Sequence, residues 1–113
     1  MRLSSMNKAI ILTEEGRQLT GYGELHGDLV FDRVVVEYNS NALHLDAAHY
    51  TDDMNRQTAL KLAGYDYIAV TAGNIKNYYS LINVMNAIRV KLKMKPLEDD
   101  PLRKKLYIRL FCT

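Results

Sequence analysis

Two carboxylates, Asp28 and Glu37, mark consecutive apolar runs, Asp28-Leu-Val-Phe31 and Val34-Val-Val-Glu37-Tyr-Asn-Ser40. His44, Asp53 and Arg56 follow soon after. If the two runs form a hairpin with Asp32-Arg33 as its loop, Phe31 pairs with Val34 and Asp28 lies opposite Glu37. Side chains directly opposite in an antiparallel pair share a face, with Cβ atoms about 5 Å apart. Two carboxylates that close repel each other unless a proton or a cation lies between them. The chemistry this predicts is capture of a hard divalent cation, magnesium or manganese, at a sheet edge. A one-residue slip would send the acids to opposite faces, and Asp-Arg is not a favoured two-residue turn. The structural alternative is a surface strand pair in which Glu37 meets Arg33 or Lys61.

The neighbouring residues extend the same chemistry. His44 titrates near neutrality and suits general acid or base work; its plain alternative is a hydrogen-bonded loop histidine. Asp53 is read as orienting His44 or binding the ion, or else as an acid at a helix end. Arg56 is read as a phosphate ligand, or as the partner of Asp52 or Asp53 in a salt bridge. His44-x-Asp46-x-x-His49 has the wrong spacing for a helical zinc half-site, which wants two histidines four apart. The eight tyrosines offer surfaces for base stacking, but most read as core or half-buried positions. Cys112, next to the end, is not read as a nucleophile.

The elements that must hold these groups are legible in outline. Lys8 to Leu12 reads as a first strand. Thr13 can cap a helical turn over Glu14 to Leu19, and Gly21 and Gly23 mark a turn. The hairpin runs from Glu24 to Tyr38, and Asn39 to Tyr50 reads as irregular. Thr51 is expected to cap a helix whose first turn carries Asp52 and Asp53. That helix reaches Ala63 and stops at Gly64 in a left-handed cap, with Leu60, Ala63 and Met54 toward the sheet. Tyr67 to Thr71 is then a strand parallel to an earlier one. Tyr78, Leu81, Ile82, Met85, Ile88 and Leu92 make one apolar stripe on a helix from Asn77 to Leu92, which Pro96 ends. Leu106 to Phe111 reads as either a last strand or a helical turn.

The chain of 113 residues, 48% hydrophobic and 25% charged, is one domain spanning 1–113. It has no apolar run long enough for a membrane span and no signal-peptide pattern at Met1-Arg-Leu-Ser-Ser-Met. A lone cysteine gives no disulfide framework, so a reducing, cytoplasmic setting is expected. The net charge of +2 hides an asymmetry. Arg89, Lys91, Lys93, Lys95, Arg103, Lys104, Lys105 and Arg109 crowd the last quarter. Such a tail suits a polyanion such as DNA, or is the solvated face of a helix.

The ordered set Asp28…Glu37-Tyr-Asn-Ser…His44…Asp53-x-x-Arg56…Leu60…Gly64-Tyr65…Val70-Thr71 resembles the Vsr-like (very-short-patch-repair-like) endonuclease domains of the PD-(D/E)XK nuclease superfamily. These include a widespread group with an E-x-D-G…H…D-x-x-R…L…G-[WY]…[LV]-R-x-T pattern. The resemblance covers Leu12 to Leu92. It implies an α/β fold of three layers, restriction-endonuclease-like, with a mixed central β-sheet flanked by helices. It implies a magnesium- or manganese-dependent DNA endonuclease with catalytic Asp28, Glu37, His44 and Asp53. The metal would be held by Asp28, Glu37 and Asn39. DNA would be held by Arg56, Arg89, Lys91, Lys93, Arg103, Lys104 and Lys105.

His49 is close enough to be the true match in place of His44. Asn39 stands where the family has Asp, and Ser40 where it has Gly. Val70-Thr71 lacks the family's Arg, and the usual N-terminal helix is almost missing. Losing a charge at position 39 weakens a hard-cation site. These departures motivate the alternative, a non-catalytic nucleic-acid-binding or interaction module on the same fold. A homodimer through the Leu106–Phe111 edge, or another domain supplying the missing element, would suit either reading.

Overall fold

The structure, a computed structural model, describes Leu3, residues 5–39 and residues 47–111. Over these described residues it is an α/β fold with five helices and a four-stranded mixed sheet. In chain order the elements are β1 (Ser5–Ile11), α1 (Glu14–Thr20), β2 (Glu24–Phe31), β3 (Val34–Asn39), α2 (Ala47–Leu62), β4 (Asp66–Thr71), α3 (Ala72–Lys76), α4 (Tyr78–Lys91) and α5 (Pro101–Phe111). The sheet order is β1-β2-β3-β4. β1, β2 and β3 form an antiparallel meander, and β4 returns parallel to β3 after the α2 crossover. No helix among the described residues is long and apolar enough to cross a membrane.

β3 explains the layering. Its three consecutive valines are all buried, Val35 toward one face and Val34 and Val36 toward the other. A strand covered on both sides reads as an unbroken apolar run rather than an alternating one. On the first face Ile10, Leu12, Leu25, Val30 and Val35 pack against Ala59 and Leu60 of α2. On the second, Val34 and Val36 pack against Ile88 of α4, with Val84 and Leu92 beside it. Each fully buried aliphatic side chain contributes roughly 1.5–3 kcal/mol, so α2 and α4 hold the sheet from opposite sides.

The hairpin has the expected loop and register, with Phe31 paired to Val34, Val30 to Val35 and Leu29 to Val36. Asp32 takes the left-handed turn conformation at φ 52°, which Asp tolerates better than most residues. Thr13 caps α1 by accepting from the Gly16 N–H at 3.2 Å. Gly16 is buried where α1 crosses α2, and a Cβ there would lie 3.3 Å from that of Ala59. Gly64 ends α2 with φ 93°.

Other expectations are corrected. β1 starts at Ser5, earlier than Lys8, because its pairing with β2 extends to Ser5 opposite Val30. α2 starts at Ala47 rather than after Thr51. Thr51, Asp52 and Asp53 are therefore helical residues, not a cap and first turn. Met54 is exposed at 38%. α4 stops at Lys91 without help from Pro96. Lys93 adopts φ 60°, and the N–H groups of Lys93 and Met94 close on the carbonyls of Val90 and Arg89. Leu106–Phe111 is helical, part of α5, so it offers no strand edge for pairing between copies. The short α3 was not anticipated; a reciprocal Thr71–Asn74 capping box fixes it.

Candidate functional site

At one end of the hairpin the sheet stops being regular. In β2, Leu25 and Gly27 are buried, and so is Val30, three residues later. Strict alternation cannot bury both 27 and 30, so the facing skips between them. The opposite position on β1 is Asn7, flanked by the Met6–Leu29 and Lys8–Gly27 pairs, and it takes φ 53°. Gly27 makes the skip feasible. A Cβ there would sit 3.0 Å from methyls of both Val30 and Val35.

Asp28 falls at this break. The β2–β3 pairing ends at Leu29 with Val36, one step before Asp28 would face Glu37. Instead the Tyr38 N–H donates to Asp28 Oδ2 at 3.0 Å. A carboxylate thus takes the bond that an unbroken ladder would give to a carbonyl of β2.

Glu37 turns toward the α2 layer, where Arg56 meets it. Arg56 Nε donates to Glu37 Oε2 at 3.2 Å, and Nη2 donates to Oε1. The same Nη2 donates to the His26 carbonyl at 2.8 Å, tying α2 to the irregular stretch of β2. The two side chains are 30% and 12% exposed, Arg56 first. A forked guanidinium–carboxylate pair in this half-buried setting is stronger than a surface ion pair. The partner foreseen for Arg56 was Asp52 or Asp53, and for Glu37 Arg33 or Lys61; the fold pairs them with each other. Sequence could not show this, because the bend at Gly27 and the earlier start of α2 set the approach.

Tyr67 on β4 completes the cluster, with its hydroxyl 3.5 Å from Glu37 Oε2. Burial, then the charge of Glu37, push the Tyr67 phenol up to about 12. The Arg56 guanidinium holds its proton more tightly than usual, chiefly through its hydrogen bond to Glu37 and also through attraction to Glu37 and Asp28. Tyr67 was read only as a strand residue. Its place beside Glu37 follows from the parallel register, in which Val35 faces Tyr67 and Glu37 faces Ala69.

Arg56 also opens onto a cleft of about 190 Å³ lined by Tyr22, Leu25, Asp52, Asp53 and Asn55 among others. Tyr22, Glu24 and His26 continue it as a shallower hollow. Asp53 is exposed here, one helical turn before Arg56, and its charge reaches Tyr67. Tyr22, 63% exposed, and His26 were not foreseen as part of the site. His26 Nδ1 lies 3.3 Å from the Asn7 carbonyl, and Nε2 lies 3.7 Å from Glu24. Asn39 ends β3 opposite Thr71 of β4. Ser40, His44, Asp46 and Cys112 lie outside the described residues, as does the side chain of His49.

Apart from Arg56, the basic residues assigned to DNA lie elsewhere. Arg89 and Lys91 belong to α4, which covers the sheet face opposite α2, and Lys93 follows it. Arg103, Lys104 and Lys105 are on α5. Several are committed within the chain. Arg89 donates to the Lys95 carbonyl at 2.8 Å, Arg103 to the Glu98 carbonyl at 2.7 Å, and Lys104 to the Tyr79 hydroxyl at 3.1 Å. Lys91 lies 3.5 Å from Asp66, at the opposite end of the parallel strands from Asn39 and Thr71. Lys93 and Lys105 are exposed.

Among the described residues no three His, Cys, Asp or Glu side chains gather as a metal set. Arg56 hydrogen-bonds Glu37, whereas Asp28 accepts from the Tyr38 N–H. No protein-family model, curated protein or solved structure matches the chain.

Proposed function

We propose that the chain is a Vsr-like domain of restriction-endonuclease-like fold that hydrolyses DNA phosphodiesters with a divalent metal. The observation that carries this reading is the placement of Asp28 and Glu37. They sit on adjacent strands at one end of a mixed sheet, Glu37 paired with Arg56 of the crossover helix and Asp28 accepting from the Tyr38 N–H. When held by Asp28 and Glu37, with Asn39 nearby as a neutral oxygen donor, magnesium or manganese supplies an activated water and charge neutralisation for the transition state.

The chain's own groups supply the rest. The Arg56 guanidinium has the planar donor fork that recognises a phosphate. Asp53 stands one turn away on the cleft wall, and His44 keeps the proton-transfer role that the resemblance implies. Tyr22 offers an exposed ring for a base. Lys93 and Lys105 are left to meet phosphates on the far layer.

Nicking of supercoiled plasmid in magnesium or manganese tests the reading. The parent is expected to nick and Asp28→Ala to be inert while still folded, since Asp28 is exposed and its described bond is to Tyr38 alone. An Asp28→Ala protein that nicks as well as the parent would remove the assignment. One observation favours the second reading, a non-catalytic nucleic-acid-binding module. Both Glu37 oxygens are already engaged by Arg56. That module binds DNA without metal and nicks nothing.

A further inference from the structure

We infer that two copies of the chain pair through the open edge of β4, antiparallel and centred on Ile68, to make one continuous sheet. The inference stands apart from the nuclease reading. β1 and β4 are the two edges of the sheet. An edge strand offers unpaired N–H and C=O groups to another strand, and proteins blunt such edges with lysine, proline or a bulge. β1 carries Lys8 at its middle and the left-handed Asn7 beside it, φ 53°. β4 reads Asp66-Tyr-Ile-Ala-Val-Thr71, with no lysine, proline or positive φ.

The parallel register fixes which of its backbone groups are free. The Asp66 N–H donates to the Arg33 carbonyl at 2.8 Å, and Asp66 stands beside Val34. Backbone groups alternate in direction along a strand. Asp66, Ile68 and Val70 therefore bond β3, while Tyr67, Ala69 and Thr71 turn theirs to the open side. Thr71 is already engaged there: its N–H donates to Asn74 Oδ1 at 2.8 Å as α3 begins. The N–H and C=O groups of Tyr67 and Ala69 have no partner among the described residues. Ala69 is exposed as well.

A second copy fits this short stretch. α3 closes the edge at Thr71, so a long foreign strand gains nothing beyond Ala69, whereas a two-fold pair uses the same stretch twice. In an antiparallel pair, residues that turn their groups toward the partner lie opposite one another and exchange two bonds. Tyr67 opposite the partner's Ala69, and Ala69 opposite the partner's Tyr67, satisfies every free group of both copies. A register centred on Ala69 would aim Tyr67 at the partner's Thr71, whose N–H is taken. Centred on Ile68, the pairing sets Ile68 against the partner's Ile68 and Asp66 against the partner's Val70, so no like charges oppose. Ile68 and Val70 are the half-buried margin of the apolar cluster under α4, and the pairing carries that cluster across the axis. On the other face Tyr67 packs against the Val35–Leu60 cluster, and Ala69 stands beside Glu37. The partner's Tyr67 then lies next to Ala69, so each copy brings an aromatic ring toward the other's Glu37–Arg56 pair.

A pairing this short makes a dimer that dissociates on dilution. Sedimentation velocity on the parent, from about 1 to about 500 µM, is expected to move from monomer toward dimer. Over the same range the amides of Tyr67 and Ala69 are expected to exchange more slowly as concentration rises. Ala69→Pro removes the outward N–H and keeps the bonds to β3, since an edge strand accepts proline. It is expected to melt near the parent and to stay monomeric. The register is read by cysteines in a Cys112→Ser background. Antiparallel residues that share no hydrogen bond have Cα atoms about 4.5 Å apart, within reach of a disulfide. Ile68→Cys is expected to give a covalent dimer on mild oxidation. Val70→Cys, which faces the partner's Asp66, is expected to give none.

A parent that stays monomeric throughout, with exchange at Tyr67 and Ala69 independent of concentration, overturns the inference. So does a dimer that survives Ala69→Pro, which would put the contact on another face, such as the exposed leucines of α5. Equal cross-linking by Ile68→Cys and Val70→Cys overturns the register. If a cysteine variant does not fold, the exchange measurement on the parent and Ala69→Pro decide. Plasmid nicking is read separately, and a monomer that nicks leaves the nuclease reading intact.

Discussion

Glu37 accepts hydrogen bonds from both Nε and Nη2 of Arg56, and the residues around it set the electrostatics of that pair. Tyr67 reports on that environment. Its phenol is held neutral up to about pH 12 by burial and by the negative charge of Glu37, against about 10 in an unfolded chain. The folded state therefore keeps a proton between those values that the unfolded state has lost. Stability contributed by Tyr67 is fully present below pH 10 and disappears as pH rises through 12. Urea unfolding between pH 9 and 12 is expected to show a shallower fall in stability for Tyr67→Phe than for the parent. Identical slopes would mean that Tyr67 is not held neutral by Glu37 and burial.

Among the elements, the break in β2 is what builds the site, and Gly27 is its hinge. The space beside Gly27 is filled by Val30 and Val35, both at 0% exposure. Gly27→Ala forces one more carbon into a closed core and is expected to cost roughly 1–3 kcal/mol, read as a lower urea midpoint. A neutral result would mean that β2 can straighten, and Asp28 would then lose its bond to Tyr38. Thr13→Ala should cost about 1 kcal/mol through loss of the α1 cap, without touching the site. α5 is anchored mainly by Tyr107, the buried residue of that helix, which donates to the Ile75 carbonyl and packs on Tyr78. A helix of 11 residues is marginal by itself. Tyr107→Ala is therefore expected to raise hydrogen exchange across Pro101–Phe111 while leaving β2 and β3 protected.

For the whole molecule, the question is how acidic and basic regions divide. Glu37, Asp52 and Asp53 gather around Arg56, while exposed Lys91 lies on α4, Lys93 follows it, and exposed Lys104 and Lys105 lie on α5. A DNA duplex that reached both would have to pass around the sheet edge. Lys93→Gln and Lys105→Gln give a direct reading of that path. Each is expected to weaken duplex binding regardless of sequence and to lower the slope of log K against log salt by about one if it contacts a phosphate. Slopes identical to the parent would confine DNA contact to the α2 layer.

The local elements were legible in the chain because local chemistry fixes them. Three consecutive valines before Glu37 marked a hairpin strand, and Thr13 and Gly64 marked helix ends through their own bonding and backbone freedom. The 3.6-residue stripe from Tyr78 to Leu92 required α4. The hairpin register followed from matching Phe31-Asp32-Arg33-Val34, but the ladder ends at Leu29 and Val36, so the expected facing of Asp28 and Glu37 is not formed. What needed the tertiary structure was every relation set by packing at a distance. Burial of Gly27 against Val30 and Val35 skips the alternation and turns the Asp28 carboxylate to the Tyr38 N–H. The crossover lays α2 over the sheet so that Arg56 meets Glu37, not the acids on its own helix. α4 covers the far face, which puts Arg89 and Lys91 on the layer opposite Arg56 and Glu37. Sequence carries the periodicities and caps; the choice of partner for a charged side chain is made only when separate elements close on a common core.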